Sequence, residues 1–189
     1  MQKNNRRLAV ALSGGGVRAA AFHLGLLARL AADDLLEHVV SLSTVSGGSL
    51  IAGLLFANAG NAWPGSRVLL GSLAQLKKVL TEKDLQRDTF RRLMFCPHLL
   101  FAPRANLLSR SLRRCWGVRG TLRDLSSKPR WIINATTYES GKNWRFIAGR
   151  RMGDYLVNYI DNPAVAVSDA VAASAAYPGL IGPFVIKTS

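Results

Sequence analysis

The sequence predicts an α/β fold with a mostly parallel central sheet, and three observations carry that prediction. Strand, helix, strand and helix patterns follow one another within the first 60 residues, the βαβ arrangement whose crossover is right-handed. Each of the two strand patterns runs straight into a turn that bears glycine. The chain has 189 residues, 49% hydrophobic and 19% charged, which is enough for one domain with a sizeable core and excludes a disordered solvating chain.

Leu8 to Leu12 is a short apolar run ahead of Ser13-Gly-Gly-Gly16, and reads as a buried strand entering a tight loop. Val17 to Ala32 is rich in Ala and Leu and reads as a helix buried on most sides, ended by Asp33 and Asp34. His38 to Ser43 is a second apolar strand. It leads into Thr44-Val-Ser-Gly-Gly48, and Ser49 to Ala59 reads as a second apolar helix.

The stretch from 60 to 130 reads as a cap-like insertion of helices and loops over one end of the sheet, opening with a loop from Asn61 to Gly65. Within it, residues 77 to 130 hold 14 of the 25 Lys and Arg but only four acids, around an apolar patch from Leu93 to Phe101. Trp131 to Thr136 is a strand, Gly141 a turn, and Trp144 to Ile147 the return strand of a hairpin. Asn162 to Ala176 reads as helix, with Pro163 in its first turn and Pro178 beyond its end.

Twenty-five basic against 11 acidic residues leave a formal charge of +14, which implies an anionic partner such as phospholipid, nucleic acid or phosphate. Cys96 and Cys115 lack CxxC spacing, so neither a disulfide framework nor a cysteine-based zinc site is expected. No metal or cofactor is implied by any motif. The polar Met1 to Arg7 is followed by only five apolar residues, where a secretory signal needs about seven to fifteen. No run reaches the roughly 18 apolar residues of a membrane span. The expected location is cytoplasmic, or peripheral to the cytoplasmic face of a membrane.

Two loops carry chemistry, both at the C-terminal ends of strands, where open α/β sheets bind ligands. Ser46 stands between a strand and a helix. A nucleophile elbow of the G-x-S-x-G kind needs small neighbours there, and Gly48 provides one, Gly47 gives the turn further freedom, and Thr44 occupies the place of the first glycine. The alternative is that Ser46 is an ordinary helix N-cap. Gly14-Gly-Gly-Val-Arg-Ala19 is the second loop. Its N–H groups at a helix start suit an oxyanion hole or a phosphate cradle. Its G-x-G-x-x-A spacing also matches a dinucleotide fingerprint, but the second strand ends in Thr44, Val45 and Ser46 rather than in a ribose-binding acid.

At these residues the sequence resembles the patatin-like phospholipase family, whose pattern is a strand ending in G-G-G-x-R-G and a G-x-S-x-G elbow about 30 residues later. Here the two pieces are Leu12-Ser-Gly-Gly-Gly-Val-Arg-Ala19 and Ser43-Thr-Val-Ser-Gly-Gly-Ser49. Ile132 to Thr137 with Gly141, Arg145 and Phe146 resembles the family's central strand pair, and Ala172 to Pro178 with Gly182-Pro-Phe184 resembles the helix end and loop before its last motif. The likeness spans residues 8 to 186.

The resemblance implies a three-layer fold with helices on both faces of the sheet, and a serine acyl hydrolase that uses a Ser-Asp dyad without histidine. Ser46 would be the nucleophile, with the N–H groups of Gly14, Gly15 and Gly16 as the oxyanion hole. Arg18 would hold that loop or meet a lipid phosphate, and Thr44, Gly47 and Gly48 would form the elbow turn. The three histidines, His23, His38 and His98, read as structural.

Ala19 and Thr44 replace family glycines. The family's aspartate stands in an Asp-Gly motif and no Asp-Gly dipeptide occurs in this chain, so the domain is expected to be incomplete at its C-terminus. Asp169 is a weak substitute as base and reads as a solvent-facing or capping carboxylate. The leading function is hydrolysis of phospholipid or lysophospholipid esters at an anionic membrane surface. The alternatives are an inactive lipid- or phosphate-binding remnant and, third, a nucleotide- or nucleic-acid-binding α/β protein; no nucleic-acid partner is expected.

Overall fold

A computed structural model describes residues 7–82, 104–156, 158–176 and 184–185. Two strands, β1 (Leu8–Leu12) and β2 (Val39–Val45), flank the helix α1 (Gly16–Ala32). The helices α2 (Gly47–Asn58), α3 (Ser66–Glu82) and α4 (Arg104–Cys115) precede β3 (Arg130–Thr136). An antiparallel run follows, β4 (Asn143–Ile147), β5 (Arg151–Asp154) and β6 (Asn158–Asp161), and then α5 (Val167–Ala175).

The six strands form one sheet in the order β1-β2-β3-β4-β5-β6. β1, β2 and β3 are parallel, as the βαβ reading expects, and β3 to β6 are antiparallel neighbours, so the sheet is mixed. The expected hairpin is β3–β4, turning through Gly141 at φ 65. Two successive crossovers that step the same way along the sheet place their helices on the same side. Accordingly α1 packs on α2 and α3, and α2 and α5 pack on each other and on the sheet. Among the described residues α1, α2, α3 and α5 therefore gather on one face, where the resemblance implied helices on both.

The strands show this in their burial. Leu12, Leu42, Trp131, Ile133, Phe146 and Met152 line the covered face and join the main core. Ala9 and Ala11 of β1 point the other way and are exposed. The centre of the core is α2, buried continuously from Gly47 to Phe56 because α1, α5 and the sheet enclose it. Its Phe56 ring stacks on Trp131, with centroids 4.8 Å apart and planes 5° from parallel.

Three expectations need correction. The helix read from Asn162 begins only at Val167. Asn162 has φ 45, and the following backbone is drawn out against residues 120–122: the Leu122 N–H donates to the Val165 carbonyl and the Val167 N–H to the Gly120 carbonyl. Pairing with a distant segment overrides the local helical pattern. β5 and β6 escaped the sequence reading because each has four residues without clear alternation and is specified by its partner strand. Finally, α1 is amphipathic rather than buried on most sides. Ala20, His23, Leu24, Leu27 and Ala31 face the core, while Phe22 is 71% exposed.

Residues 60–130 are described only in part. They supply α3 and α4, whose Leu69, Leu76, Leu80, Leu108 and Leu112 join the main core, and the apolar patch Leu93 to Phe101 lies outside the described residues. α4 buries Leu107, Leu108 and Leu112 and exposes Arg110, Arg113 and Arg114. Among the described residues no helix is long and apolar enough to cross a membrane.

Glu37, in the turn before β2, caps α3 from outside. Its carboxylate accepts the Ser66 N–H and the Ser66 hydroxyl, each at 2.6 Å. Burial alone would raise this carboxyl, but the Ser66 hydroxyl and N–H outweigh it and hold it below the ordinary value of 4.5. A carboxylate lowered in the folded state adds stability above its unfolded pKa and loses it as pH falls through the folded one. Glu37→Gln is therefore expected to lower Tm by a few degrees at pH 7, with the gap to wild type closing below about pH 4; thermal melts across pH 3 to 7 measure both.

Candidate active site

The two glycine-bearing loops meet at the C-terminal ends of β1 and β2, and the contact is backbone on backbone. A β-carbon at Gly47 would overlap the Gly16 carbonyl oxygen and stand 3.0 Å from the Ala19 methyl. One at Gly48 would overlap the Leu12 carbonyl oxygen and lie 2.6 Å from the Leu12 β-carbon. These glycines let the first turn of α2 press onto the loop before α1. The Gly48 N–H also donates to the Ser13 carbonyl at 3.1 Å. That carbonyl accepts a second bond, from buried His23 Nε2 at 3.0 Å, so His23 ties α1 to the loop.

Gly15 and Gly16 take φ 135 and φ 64, conformations that side chains resist. Gly15 is the N-cap of α1, which puts the Gly14–Gly16 backbone at a helix N-terminus. Gly14 stands beside Ser46: a β-carbon there would be 3.3 Å from the Ser46 β-carbon and 3.9 Å from its hydroxyl oxygen.

Ser46 occupies the N-cap position of α2 at φ 51 and ψ −115, strained for a residue with a side chain. Its hydroxyl makes no capping bond and no other hydrogen bond among the described residues. The plain N-cap alternative is therefore not how this serine is used. Its own N–H is turned inward to the Ser174 hydroxyl on α5 at 3.0 Å.

Thr44, in the place of a family glycine, is 1% exposed and works through its hydroxyl. The Trp131 indole donates to it at 2.9 Å, and it pairs with the Ser49 hydroxyl at 2.8 Å. Ser49 in turn pairs with Ser174 at 2.8 Å, and Ser174 donates to the Asn134 carbonyl at 2.6 Å. Sequence reasoning passed over Ser49, Ser174, Trp131 and Asn134. The available signal was slight: two serines, Ser168 and Ser174, in the Ala-rich, buried α5.

Arg18 is exposed on the first turn of α1 and makes no hydrogen bond or ion pair among the described residues, so it does not hold the loop through them. Asp169 is engaged elsewhere. It accepts the Ser109 hydroxyl and lies 3.7 Å from the Arg113 guanidinium, both on α4. Among the described residues no three His, Cys, Asp or Glu side chains gather as metal ligands.

The family model described as patatin-like phospholipase matches residues 10–188. A patatin-like phospholipase domain-containing protein of Yarrowia lipolytica is 27% identical over 191 residues, covering 97% of this chain and 20% of the relative. A counterpart in Aspergillus fumigatus is 27% identical over 192 residues, 100% of this chain and 24% of its own length. The chain thus spans a fifth to a quarter of these relatives. Human GIVD cytosolic phospholipase A2, solved with methyl gamma-linolenyl fluorophosphonate and terbium chloride, is similar in fold at TM-score 0.59 and 16% identity, over 93% of this chain and 30% of that one.

The contact at Gly48 is expected to be intolerant. Gly48→Ala should destabilise by roughly 1–3 kcal/mol or more, since the overlapped atoms are backbone. Gly25→Ala, on exposed α1 surface with open space around it, should instead stabilise by about 0.5–1 kcal/mol. Denaturant unfolding of the pair measures both signs.

Proposed function

The chain belongs to the patatin-like phospholipase family, and from that premise we propose that it is the nucleophile-bearing part of a serine hydrolase of phospholipid or lysophospholipid esters. One observation carries the proposal: a strained serine, its hydroxyl without a hydrogen bond among the described residues, beside a loop of three glycines at a helix N-terminus. In the proposed reaction the Ser46 hydroxyl attacks the ester carbonyl, and its proton passes to a general base. The carbonyl oxygen gains the charge, which backbone N–H groups of Gly14 to Gly16 would stabilise. The acyl-serine then forms as the lysolipid or alcohol leaves, and water releases the fatty acid.

The base expected from the family, an aspartate before glycine, is not among these 189 residues. Asp169 is already held by Ser109 and Arg113. A lipid- or phosphate-binding role without turnover is the competing reading that this observation favours. Covalent labelling separates the two, because it asks for a base-activated nucleophile and an oxyanion site but not for hydrolysis of the adduct. The fold neighbour was solved with a lipid-chain fluorophosphonate, which recommends that class of probe. A fluorophosphonate is expected to label Ser46 in a chain that carries the Asp-Gly base, read by peptide mass spectrometry, and Ser46→Ala to abolish labelling. Undiminished labelling of the Ala variant would place the nucleophile elsewhere.

We further propose an anionic membrane surface as the partner of the 60–130 insertion. The excess of basic residues from 77 to 130 and the exposed arginines of α4 support it, at about 1 kcal/mol of attraction per cation near the surface. Binding to phosphatidylserine vesicles is expected to fall as salt is added. Reversing Arg110, Arg114 and Arg119 to Glu should weaken it more than reversing the exposed Lys142, Arg145 and Arg150, which lie outside residues 60–130. Equal losses from the two folded variants, in a vesicle sedimentation assay, would reduce the effect to general basicity.

A further inference from the structure

The polar groups beneath the elbow have only one consistent arrangement of protons. An indole N–H can only donate, and a carbonyl oxygen can only accept. Ser174 spends its single proton on the Asn134 carbonyl, so the bond between Ser49 and Ser174 must be donated by Ser49. Ser49 then has no proton left for Thr44, so Thr44 donates to Ser49 and accepts from the Trp131 indole. The row runs Trp131, Thr44, Ser49, Ser174, Asn134 carbonyl. At Ser174 it accepts a second donor, the Ser46 N–H.

From this we propose that Thr44, Ser49 and Ser174 are positioning residues that hold Ser46 in its strained turn. The inference rests on the reading of Ser46 as the nucleophile. Left-handed φ at a serine persists only where surrounding contacts over-determine it. Here the contact is a buried hydroxyl whose oxygen is aimed at the Ser46 N–H by its own donation to β3. The hydroxyls of Thr44 and Ser49 are fully buried, so removing one leaves a neighbour's polar group without a partner and frees the row to rotate. The row also joins three elements that converge on the site: β2 through Thr44, α2 through Ser49 and α5 through Ser174. Thr44 thereby does work that a glycine at the head of the turn cannot do.

The test compares fluorophosphonate labelling rates of the chain that carries the Asp-Gly base and of its Thr44→Val and Thr44→Ser variants, with Tm recorded for each. Valine keeps the shape and removes the hydroxyl; serine keeps the hydroxyl. Thr44→Val is expected to label about tenfold more slowly, a loss of the size one buried hydrogen bond provides, and Thr44→Ser to recover most of the rate. A folded Thr44→Val that labels at the wild-type rate, or a Thr44→Ser as slow as Thr44→Val, overturns the proposal. Hydrogen exchange of the Ser46 amide in the wild-type chain gives a readout that needs no variant. Slow exchange is expected, and exchange at the rate of an exposed amide overturns the proposal. A wild-type chain that the probe does not label, with its Ser46 amide still protected, refutes the nucleophile and with it the positioning role, whereas normal wild-type labelling with insensitive variants refutes only the latter.

Discussion

The site depends on a close approach of two backbones, to which side chains add only the Ala19 methyl and the Leu12 β-carbon. Two turns meet through Gly47 against Gly16 and Gly48 against Leu12, at a separation that leaves no room for a β-carbon. That approach requires β1 and β2 to lie side by side, which the right-handed crossover through α1 provides. It also requires α2 to start immediately after β2, which places Ser46 at the bend with a positive φ. Sheet order, helix packing and the strain at Ser46 are therefore one constraint seen from three directions.

Trp131 joins the two kinds of interior in this protein. Its ring face stacks on Phe56 in the apolar core, and its indole N–H begins the row of hydroxyls under the elbow. Buried hydroxyls are costly unless they are hydrogen-bonded, by about 1–3 kcal/mol each in proteins. Thr44, Ser49 and Ser174 are each bonded on both sides, so the polar row sits within the core without that penalty. The core fixes the ring, and the ring fixes the first donor.

Much of the fold was legible because it is local. β1, α1, β2, α2 and the β3–β4 hairpin announce themselves by short apolar runs, Ala- and Leu-rich periods and glycine at the turns. The failures are where distant pairing decides. Residues 162–166 look helical but are extended by partners near residue 121, and β5 and β6 exist by virtue of each other. The site divides the same way. Gly14 to Gly16 and Ser46 stand out by spacing, and the contact between their loops follows from the βαβ geometry. Ser174 is 128 residues from Ser46, and nothing in its neighbourhood of alanines says which backbone group it will meet. Thr44 was visible only as a departure from a family pattern; its use became clear with the indole above it.

The row of hydroxyls has an electrical consequence. A chain of hydrogen bonds conducts a proton when each member can pass one on and the row can then reset in the opposite sense. Here one end is an indole nitrogen whose lone pair belongs to the ring, and the other is an amide carbonyl with no proton to return. The row cannot reverse, so it behaves as a set of frozen dipoles rather than as a wire. It meets Ser46 only through the backbone N–H, so it acts on that residue as a fixed dipole and carries no proton to or from the hydroxyl.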